Sequence, residues 1–272
     1  AQELSTYLRP NHHFLPQNIA FDDFKSGNFS QSGMSIIVMD IATHRTLDIV
    51  RSRQNTYLRS YFLQYDRQAR WAVQTVTVDL YSPYRAFIHD VFPNALIIAD
   101  RLHVITQAYR ALNQVRIQAM KQAGHGSHNS RALKHYWKLL TKDSAHLDFK
   151  HYHKSGNFRN LQLCEQDIVE RLLAMSADLR LAYNYYQTLL QAVHQGNPAL
   201  LEELTQSAAG LPDPVKKTNR TLRKHRQEIK NSFETTFPTA PSKGLTIKSR
   251  PLKRLLRVSG TLKTSVYVFS SN

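Results

Sequence analysis

Short apolar runs alternate with polar segments through the first hundred residues of the chain. Five runs rich in Ile, Val, Leu and Phe are predicted strands, and residues 34–39 and 46–50 among them are close enough to form a hairpin. Helical spacing of apolar residues appears over residues 55–67, and Pro83 opens a short predicted helix that reaches about residue 92. The predicted strands are residues 18–21, 34–39, 46–50, 74–78 and 95–99.

The last two of these strands flank a helical crossover, so they should run parallel to each other. The hairpin adds an antiparallel pair. The pattern therefore predicts an α/β fold with a mixed sheet and helices on its faces.

Beyond residue 100 the pattern becomes helical. Three- and four-residue steps of apolar side chains predict a long amphipathic helix over residues 168–193. Trp71 and Trp137 are expected in the core. The other predicted helices cover residues 104–122, 131–142, 197–208 and 214–233.

The composition indicates a class of binding partner through its charge. The 272 residues include 36 Lys and Arg against 20 Asp and Glu, a formal net charge of +16, which favours nucleic acid over a membrane surface as the partner. No apolar run is long enough to span a bilayer, and no signal peptide is evident. Cys164 is the sole cysteine and is expected to be a passive buried thiol. A cytoplasmic, nucleoid-associated location is the expectation.

Three aspartates each follow an apolar run: Asp22, Asp79 and Asp100. Carboxylates at neighbouring strand ends form an oxygen-rich site suited to Mg²⁺ or Mn²⁺, and paired ions of this kind drive phosphodiester chemistry. Asp22 and Asp79 are the best candidates for metal ligands. Aspartate after a strand is also common as a helix cap or turn residue, and Asp100 fits that role too. Asp23 stays open as an alternative to Asp22.

His103 lies three residues after Asp100, so both side chains can share one face of a first helical turn. It could contact DNA, orient a carboxylate or fill a polar pocket.

No phosphate-binding glycine loop, nucleophile elbow or His-Glu-x-x-His helix is present.

Several segments resemble the DDE transposases of the ISL-three group of bacterial insertion sequences. The resemblance covers nearly all of residues 14–237 and is most specific from Val76 to Val104. In that stretch a strand with Asp-x-x-x-x-Tyr comes first, followed by Phe-Pro-Asn-Ala, a second strand and Asp-x-x-His. This is the order in which the family has them. The similar segments are LPQNIAFDDFKSG, VTVDLYSPYRAFIHDVFPNALIIADRLHV, YWKLL and LRLAYNYYQ.

The resemblance implies a ribonuclease-H-like mixed sheet with a large helical insertion. It places the first two catalytic, metal-binding acids at Asp22 and Asp79, with Asp100 and His103 as a nearby Asp-x-x-His element. The implied chemistry uses two Mg²⁺ (or Mn²⁺) ions: water cleaves DNA at the transposon end, and the freed 3′-hydroxyl then attacks target DNA. A homo-oligomer on DNA is expected.

The same resemblance organises the chain into four parts. Residues 1–16 are a linker remnant, residues 17–110 the catalytic core, residues 111–237 the helical insertion with its return helix, and residues 238–272 a basic tail. The zinc-binding and helix-turn-helix region that family members carry before the core is expected to be missing.

The third catalytic acid of the family is absent from its expected place. A glutamate is expected just after Phe237, in a stretch like Ser-Asn-Gly-Pro-Ile-Glu-Gly-Leu-Asn-Asn-Lys-Ile-Lys, whereas the chain reads PTAPSKGLTIKSRPLKR. A shifted reading frame from Phe237 onward joins the third base of each codon to the first two bases of the next codon. With permitted third bases, this frame can encode that motif in full, and the glutamate codon would overlap the codons of Ser242 and Lys243. We therefore interpret residues 238–272 as out-of-frame translation that folds poorly, through either decay or a programmed shift; a basic DNA-gripping tail is the alternative.

Three functions follow as alternatives. The first is a DDE transposase, inactive in this copy if the third acid is lost. The second is another ribonuclease-H-like enzyme, such as a nuclease or resolvase. The third is a non-enzymatic DNA-binding remnant that interferes with active transposase by mixed assembly.

The charge balance leads to a first prediction. Affinity for DNA should fall steeply between low and physiological salt, because neutralised phosphates release their condensed counterions. Fluorescence anisotropy of a labelled duplex titrated at several NaCl concentrations measures this dependence. An affinity that stays flat over that range would contradict phosphate-dominated binding.

Overall fold

A computed structural model of the chain describes residues 11–27, 30 and 33–235. The described residues form two compact units that divide between Asp100 and Arg101, and the second unit ends at Thr235. The sequence prediction placed this division after residue 110 instead. The predicted basic tail, residues 238–272, lies outside the described residues.

The first unit is built on a five-stranded sheet with the order β3-β2-β1-β4-β5. Strand β2 is antiparallel to both β1 and β3, whereas β1, β4 and β5 are mutually parallel neighbours. Both the predicted hairpin and the predicted parallel pair are therefore confirmed. The strands are β1 (Asn18–Lys25), β2 (Met34–Asp40), β3 (Thr46–Val50), β4 (Thr75–Val78) and β5 (Leu96–Ala99).

Among the described residues, three helices belong to this unit: α1 (Asn55–Phe62), α2 (Arg67–Trp71) and α3 (Tyr84–Val91). The single helix predicted over residues 55–67 ends at Phe62. The backbone N–H of Asp66 instead donates to the carbonyl of His12 at 2.8 Å, which takes this segment out of the helical hydrogen-bond pattern.

An aromatic core joins α1 and α3 to one face of the sheet. Phe62 of α1 lies 5.4 Å from Phe21 of β1 and 5.8 Å from Phe87 of α3, measured between ring centroids. Alternate residues of β1 and β4, among them Ile19 and Val76, complete this cluster with no exposed surface. Burial of this side-chain set fixes which face of each strand points towards the helices.

The second unit is mainly helical. Its longest helices are α4 (Arg101–Gln122) and α8 (Ala177–Gln195), which pack against each other. A short antiparallel hairpin, β6 (His153–Ser155) with β7 (Leu161–Leu163), was not predicted. The remaining helices are α5 (His128–His135), α6 (Trp137–Thr141), α7 (Glu165–Leu173), α9 (Pro198–Gln206), α10 (Asp213–Lys224) and α11 (Arg226–Glu234).

The long helix predicted over residues 168–193 is two helices, α7 and α8. Ser176 adopts an extended backbone between them, and its hydroxyl accepts the N–H of Leu179 at 3.3 Å, so it caps α8. Apolar residues keep their helical spacing across this break, which is why periodicity alone did not show it. The helix predicted over residues 214–233 is likewise divided, at His225.

Two single-residue expectations had different outcomes. Cys164 is buried, as predicted, and its thiol donates to the carboxylate of Asp167 at 3.2 Å. Trp71 was expected in the core but is 42% exposed, and the guanidinium of Arg67 lies 4.0 Å from its ring centroid. The cation covers one face of this surface ring.

None of the helices in the described ranges has the length and apolar character that crossing a bilayer requires.

The aromatic core predicts a large stability difference between two phenylalanines. Phe62→Ala should lower the free energy of unfolding by about 3–5 kcal/mol, because Phe62 is fully buried and the cavity would be lined by packed rings. Phe149→Ala is the matched control, since that side chain is 60% exposed and should cost at most about 0.5 kcal/mol. Denaturant unfolding followed by circular dichroism measures both, and equal losses would contradict the assigned core.

Candidate active site

The register of three parallel strands aligns three aspartates. Ala20 of β1 pairs with Thr77 of β4, and Val78 of β4 pairs with Ala99 of β5. Extending the first register by two residues brings Asp22 level with Asp79. Extending the second by one residue brings Asp79 level with Asp100, whose backbone N–H donates to the carbonyl of Val78 at 2.8 Å.

Strand alternation predicts that the three aspartates share one face of the sheet. Ile19, Phe21, Val76 and Val78 face the aromatic core. The residues between them therefore point to the opposite face, and Asp22 follows Ala20 on that face. Asp79 and Asp100 lie one residue past the ends of β4 and β5, and continuing the alternation would place them with Thr77 and Ile98 on that face. Each of the three aspartates is partly buried.

A buried polar contact holds β1 and β4 in this register. The hydroxyl of Thr75 donates to the amide oxygen of Asn18 at 2.8 Å, and these two residues are paired at the start of the ladder. Any slip of β4 along β1 would leave both buried groups without this partner, which is costly in an apolar surrounding. The alignment of Asp22 with Asp79 therefore depends on Asn18 and Thr75, a role the sequence did not suggest.

Asp23 lies on the other face and has a cationic partner. Its carboxylate accepts a hydrogen bond from the guanidinium of Arg53 at 2.9 Å, and its side chain is only 12% exposed. This hydrogen bond raises the pKa of Arg53 above its usual value despite partial burial. Asp22 and Asp23, which the sequence left as alternatives, lie on opposite sides of β1 by strand alternation.

A tight turn after β4 orients Asp79. The backbone N–H of Tyr81 donates to a carboxylate oxygen of Asp79 at 2.8 Å. Nearby, the side chain of Tyr84 is 2% exposed, and its hydroxyl has no hydrogen-bond partner among the described residues. Burial raises the pKa of Tyr84 far above its usual value, and the negative charges of Asp23 and Asp79 raise it further. Tyr84 is therefore a neutral side chain whose pKa is raised by the charges of both carboxylates.

The remaining predicted site residue, His103, is the third residue of α4 and belongs to the second unit. Asp100 is the last residue of the first unit, so its alignment with Asp79 rests on the sheet alone. Arg53 and Asn18 were not identified from the sequence. Neither sits in a pattern that separates it from other loop or strand residues; only their contacts identify them.

The carboxylates near the strand ends supply some of the oxygen ligands that a hard divalent cation such as Mg²⁺ prefers. Within residues 11–27, 30 and 33–235, no group of three or more His, Cys, Asp and Glu side chains is placed to hold a metal ion. Mg²⁺ commonly retains several waters and takes one or two carboxylates together with substrate phosphates. The aligned pair Asp22 and Asp79 suits that minimal arrangement.

Comparisons with known proteins give one match that covers most of the chain and one partial match. A protein named ATP-dependent protease from Lactococcus lactis subsp. lactis is 36% identical over 92 residues, which are 34% of this chain and 30% of that protein. The chain thus spans less than a third of that relative's length, and its sequence has no Gly-x-x-x-x-Gly-Lys-Ser/Thr loop. No solved structure matches.

The second comparison reaches across both compact units. The family described as transposase, the DDE type of the ISL-three group, matches residues 19–257. This match includes all three aligned aspartates and His103. It covers well over half of the 272 residues, and the chain therefore belongs to the ISL-three family of DDE transposases.

Proposed function

We propose that the protein carries the catalytic core of an insertion-sequence transposase, which cleaves DNA at the transposon end and joins the freed 3′-hydroxyl to target DNA. The observation that supports this best is the register of the three adjacent parallel strands, which, extended by one or two residues, brings Asp22, Asp79 and Asp100 level. The sheet order and the mixture of parallel and antiparallel strands are compatible with a ribonuclease-H-like core.

Asp22 and Asp79 are the proposed metal ligands, with Mg²⁺ or Mn²⁺ as the ion. When bound, the ions would supply Lewis-acid activation of the attacking oxygen and stabilisation of the leaving oxygen. Asp79 is held by its hydrogen bond from Tyr81, so little reorientation is needed for binding. Asp23 is less suited to this role, because strand alternation places it on the opposite side of β1 from Asp22.

Asp100 is proposed to add negative charge at the same sheet edge, and His103 to act at the start of α4 on DNA or on a neighbouring carboxylate. The proposed assembly is a homo-oligomer on DNA, as transposon ends must be brought together before joining. These roles rest on the family and on strand register.

The third acid is the proposed defect of this copy. Residues 235–272 contain no acidic residue, whereas the family requires a glutamate there. The family match continues past Phe237 to residue 257, although an out-of-frame tail would share no ancestry with the family in this frame. The nucleotide sequence decides between these two observations.

A second candidate function follows from the same absence. A chain that keeps the DNA-binding surface but lacks the third acid would bind DNA without cutting it. It could then inhibit active transposase by mixed assembly.

The reading-frame hypothesis makes a prediction about the gene. A single-base shift just after the Phe237 codon should restore a continuous family-like sequence, with a glutamate codon that overlaps those of Ser242 and Lys243. Sequencing the gene through this region, and upstream of the Ala1 codon, tests it. If no single-base shift restores the motif, the tail is a genuine basic segment and the hypothesis is wrong.

The aligned carboxylates make a prediction about chemistry. In a frame-restored protein, Asp22→Asn and Asp79→Asn should each lower metal-dependent cleavage of DNA carrying the terminal repeats at least about 100-fold, because each removes a charge that binds the ions. Gel analysis of end-labelled DNA with Mg²⁺, with Mn²⁺ and with EDTA measures the cleavage.

Asp90→Asn is the matched control for these variants, as Asp90 is a surface carboxylate of α3 in the same unit. It should cleave DNA at nearly the rate of the frame-restored parent. Full activity of Asp22→Asn together with loss in Asp23→Asn would move the first acid to Asp23. Full activity of Asp79→Asn would end the proposal of a DDE mechanism for this site.

A further inference from the structure

Helix α10, Asp213–Lys224, carries an unusually cationic exposed face. Lys216, Arg220, Arg223 and Lys224 follow each other at spacings of four, three and one residues, which place them on one side of a helix. Lys217 lies beside them, seven residues before Lys224. All five side chains are exposed.

The opposite side of α10 is anchored in the helical unit. Val215 and Leu222 are 1% and 0% exposed. The buried amide of Asn219 accepts from the hydroxyl of Tyr185 at 3.1 Å and donates to the carbonyl of Thr205 at 3.1 Å. These contacts join α10 to α8 and α9, so the cationic side chains project from a fixed scaffold.

This face lacks the acidic partners that a solvated surface helix usually carries. Asp213 lies 3.5 Å from Lys216, and its side chain is 95% exposed. In the part of the chain that the structure describes, no carboxylate lies within salt-bridge distance of the other four cations, Lys217, Arg220, Arg223 and Lys224.

Like charges three and four residues apart on one helix repel each other. Arg220 has such neighbours on both sides, at Lys217 and Arg223 and also at Lys216 and Lys224. A surface serving only solubility would mix both signs. The arrangement instead fits a surface that is neutralised when an extended polyanion binds.

The dimensions of this face fit duplex DNA. Lys216 and Lys224 are eight residues apart, which is about 12 Å along a helix. A duplex presents about seven phosphate charges over that length. A membrane surface fits poorly, because an interfacial helix needs large apolar side chains beside its cations, and α10 has no exposed large hydrophobic residue.

We propose that the exposed face of α10, formed by Lys216, Lys217, Arg220, Arg223 and Lys224, binds the phosphodiester backbone of duplex DNA independently of base sequence. The inference deepens the proposed function and rests on it in one respect, that DNA is the substrate. It assigns backbone binding to a particular helix of the second unit, outside the aligned aspartates.

The test compares DNA binding of the full chain with that of one fourfold variant. Binding of a fluorescent duplex of about 30 base pairs and arbitrary sequence is measured by anisotropy in EDTA at several NaCl concentrations. EDTA removes any contribution from metal-dependent chemistry. The variant combines Lys217→Gln, Arg220→Gln, Arg223→Gln and Lys224→Gln.

The variant should bind the duplex at least about ten-fold more weakly at ~0.1 M salt. The slope of log affinity against log salt concentration should also become shallower by about 3 to 4, because each lost phosphate contact reduces the magnitude of the slope by about 0.9. An unchanged slope overturns the inference. A single Arg220→Gln variant, with an expected slope change of about 1, replaces the fourfold variant if that one unfolds.

A second fourfold variant controls for net charge. It removes two arginines and two lysines from exposed positions elsewhere in the same unit, and it should change the slope by less than about 1. A loss equal to that of the α10 variant would mean that charge acts without a defined surface, and would overturn the inference. The control substitutions are Arg131→Gln, Lys134→Gln, Lys154→Gln and Arg159→Gln.

Three further outcomes bear on this inference and on the proposed chemistry. Asp90→Asn should bind the duplex with the parent's salt slope, because it removes a surface negative charge of the first unit and no phosphate contact. If a frame-restored protein does not cleave DNA while the α10 variant still shows the shallower salt dependence, the proposed cleavage chemistry is wrong and the proposed DNA-binding surface is supported. If the unsubstituted chain does not bind duplex DNA, both the DNA partner and this surface are wrong.

Discussion

Parallel pairing of β1 with β4 and of β4 with β5 is the constraint on which the candidate site depends. Parallel neighbours end at the same edge of a sheet, so three residues far apart in sequence become level there. The pairing is specified from two directions. Ile19, Phe21, Val76 and Val78 must face the aromatic core, and Asn18 must meet Thr75. A one-residue slip of β4 would send its buried residues to the wrong face and separate the hydrogen-bonded pair, so stability and site geometry are determined by the same contacts.

Charge is used differently in the two compact units. In the first unit, the aspartates at the sheet edge suit cations, and Asp23 is already paired with Arg53. In the second unit, α10 concentrates positive charge on a helix whose inner side is fixed by buried residues. A transposase needs both kinds of surface, since metal-binding carboxylates repel the phosphates of the DNA that they act on. Separate cationic side chains must therefore supply the attraction that holds the polyanion.

The proposed loss of the third acid would separate folding from catalysis. The five-stranded sheet and its aromatic core are formed by residues between Leu15 and Ala99. Under that proposal, the strands would still bring Asp22 and Asp79 level, while the further carboxylate proposed for two-ion chemistry would be absent.

Sequence alone determined the five strands of the sheet, the β2–β3 hairpin, the parallel pair and the three aspartates, because alternation and strand-end position are local signals. The similarity of residues 76–104 to the family also needed no structure. Only the tertiary structure decided the surroundings of each carboxylate: Asp23 is paired with Arg53 from thirty residues away, and the Asn18–Thr75 contact spans 57 residues. It also placed the breaks at Ser176 and His225, where apolar spacing runs on without interruption. Such features depend on which distant groups meet in the folded chain, and periodicity along one segment carries no record of them.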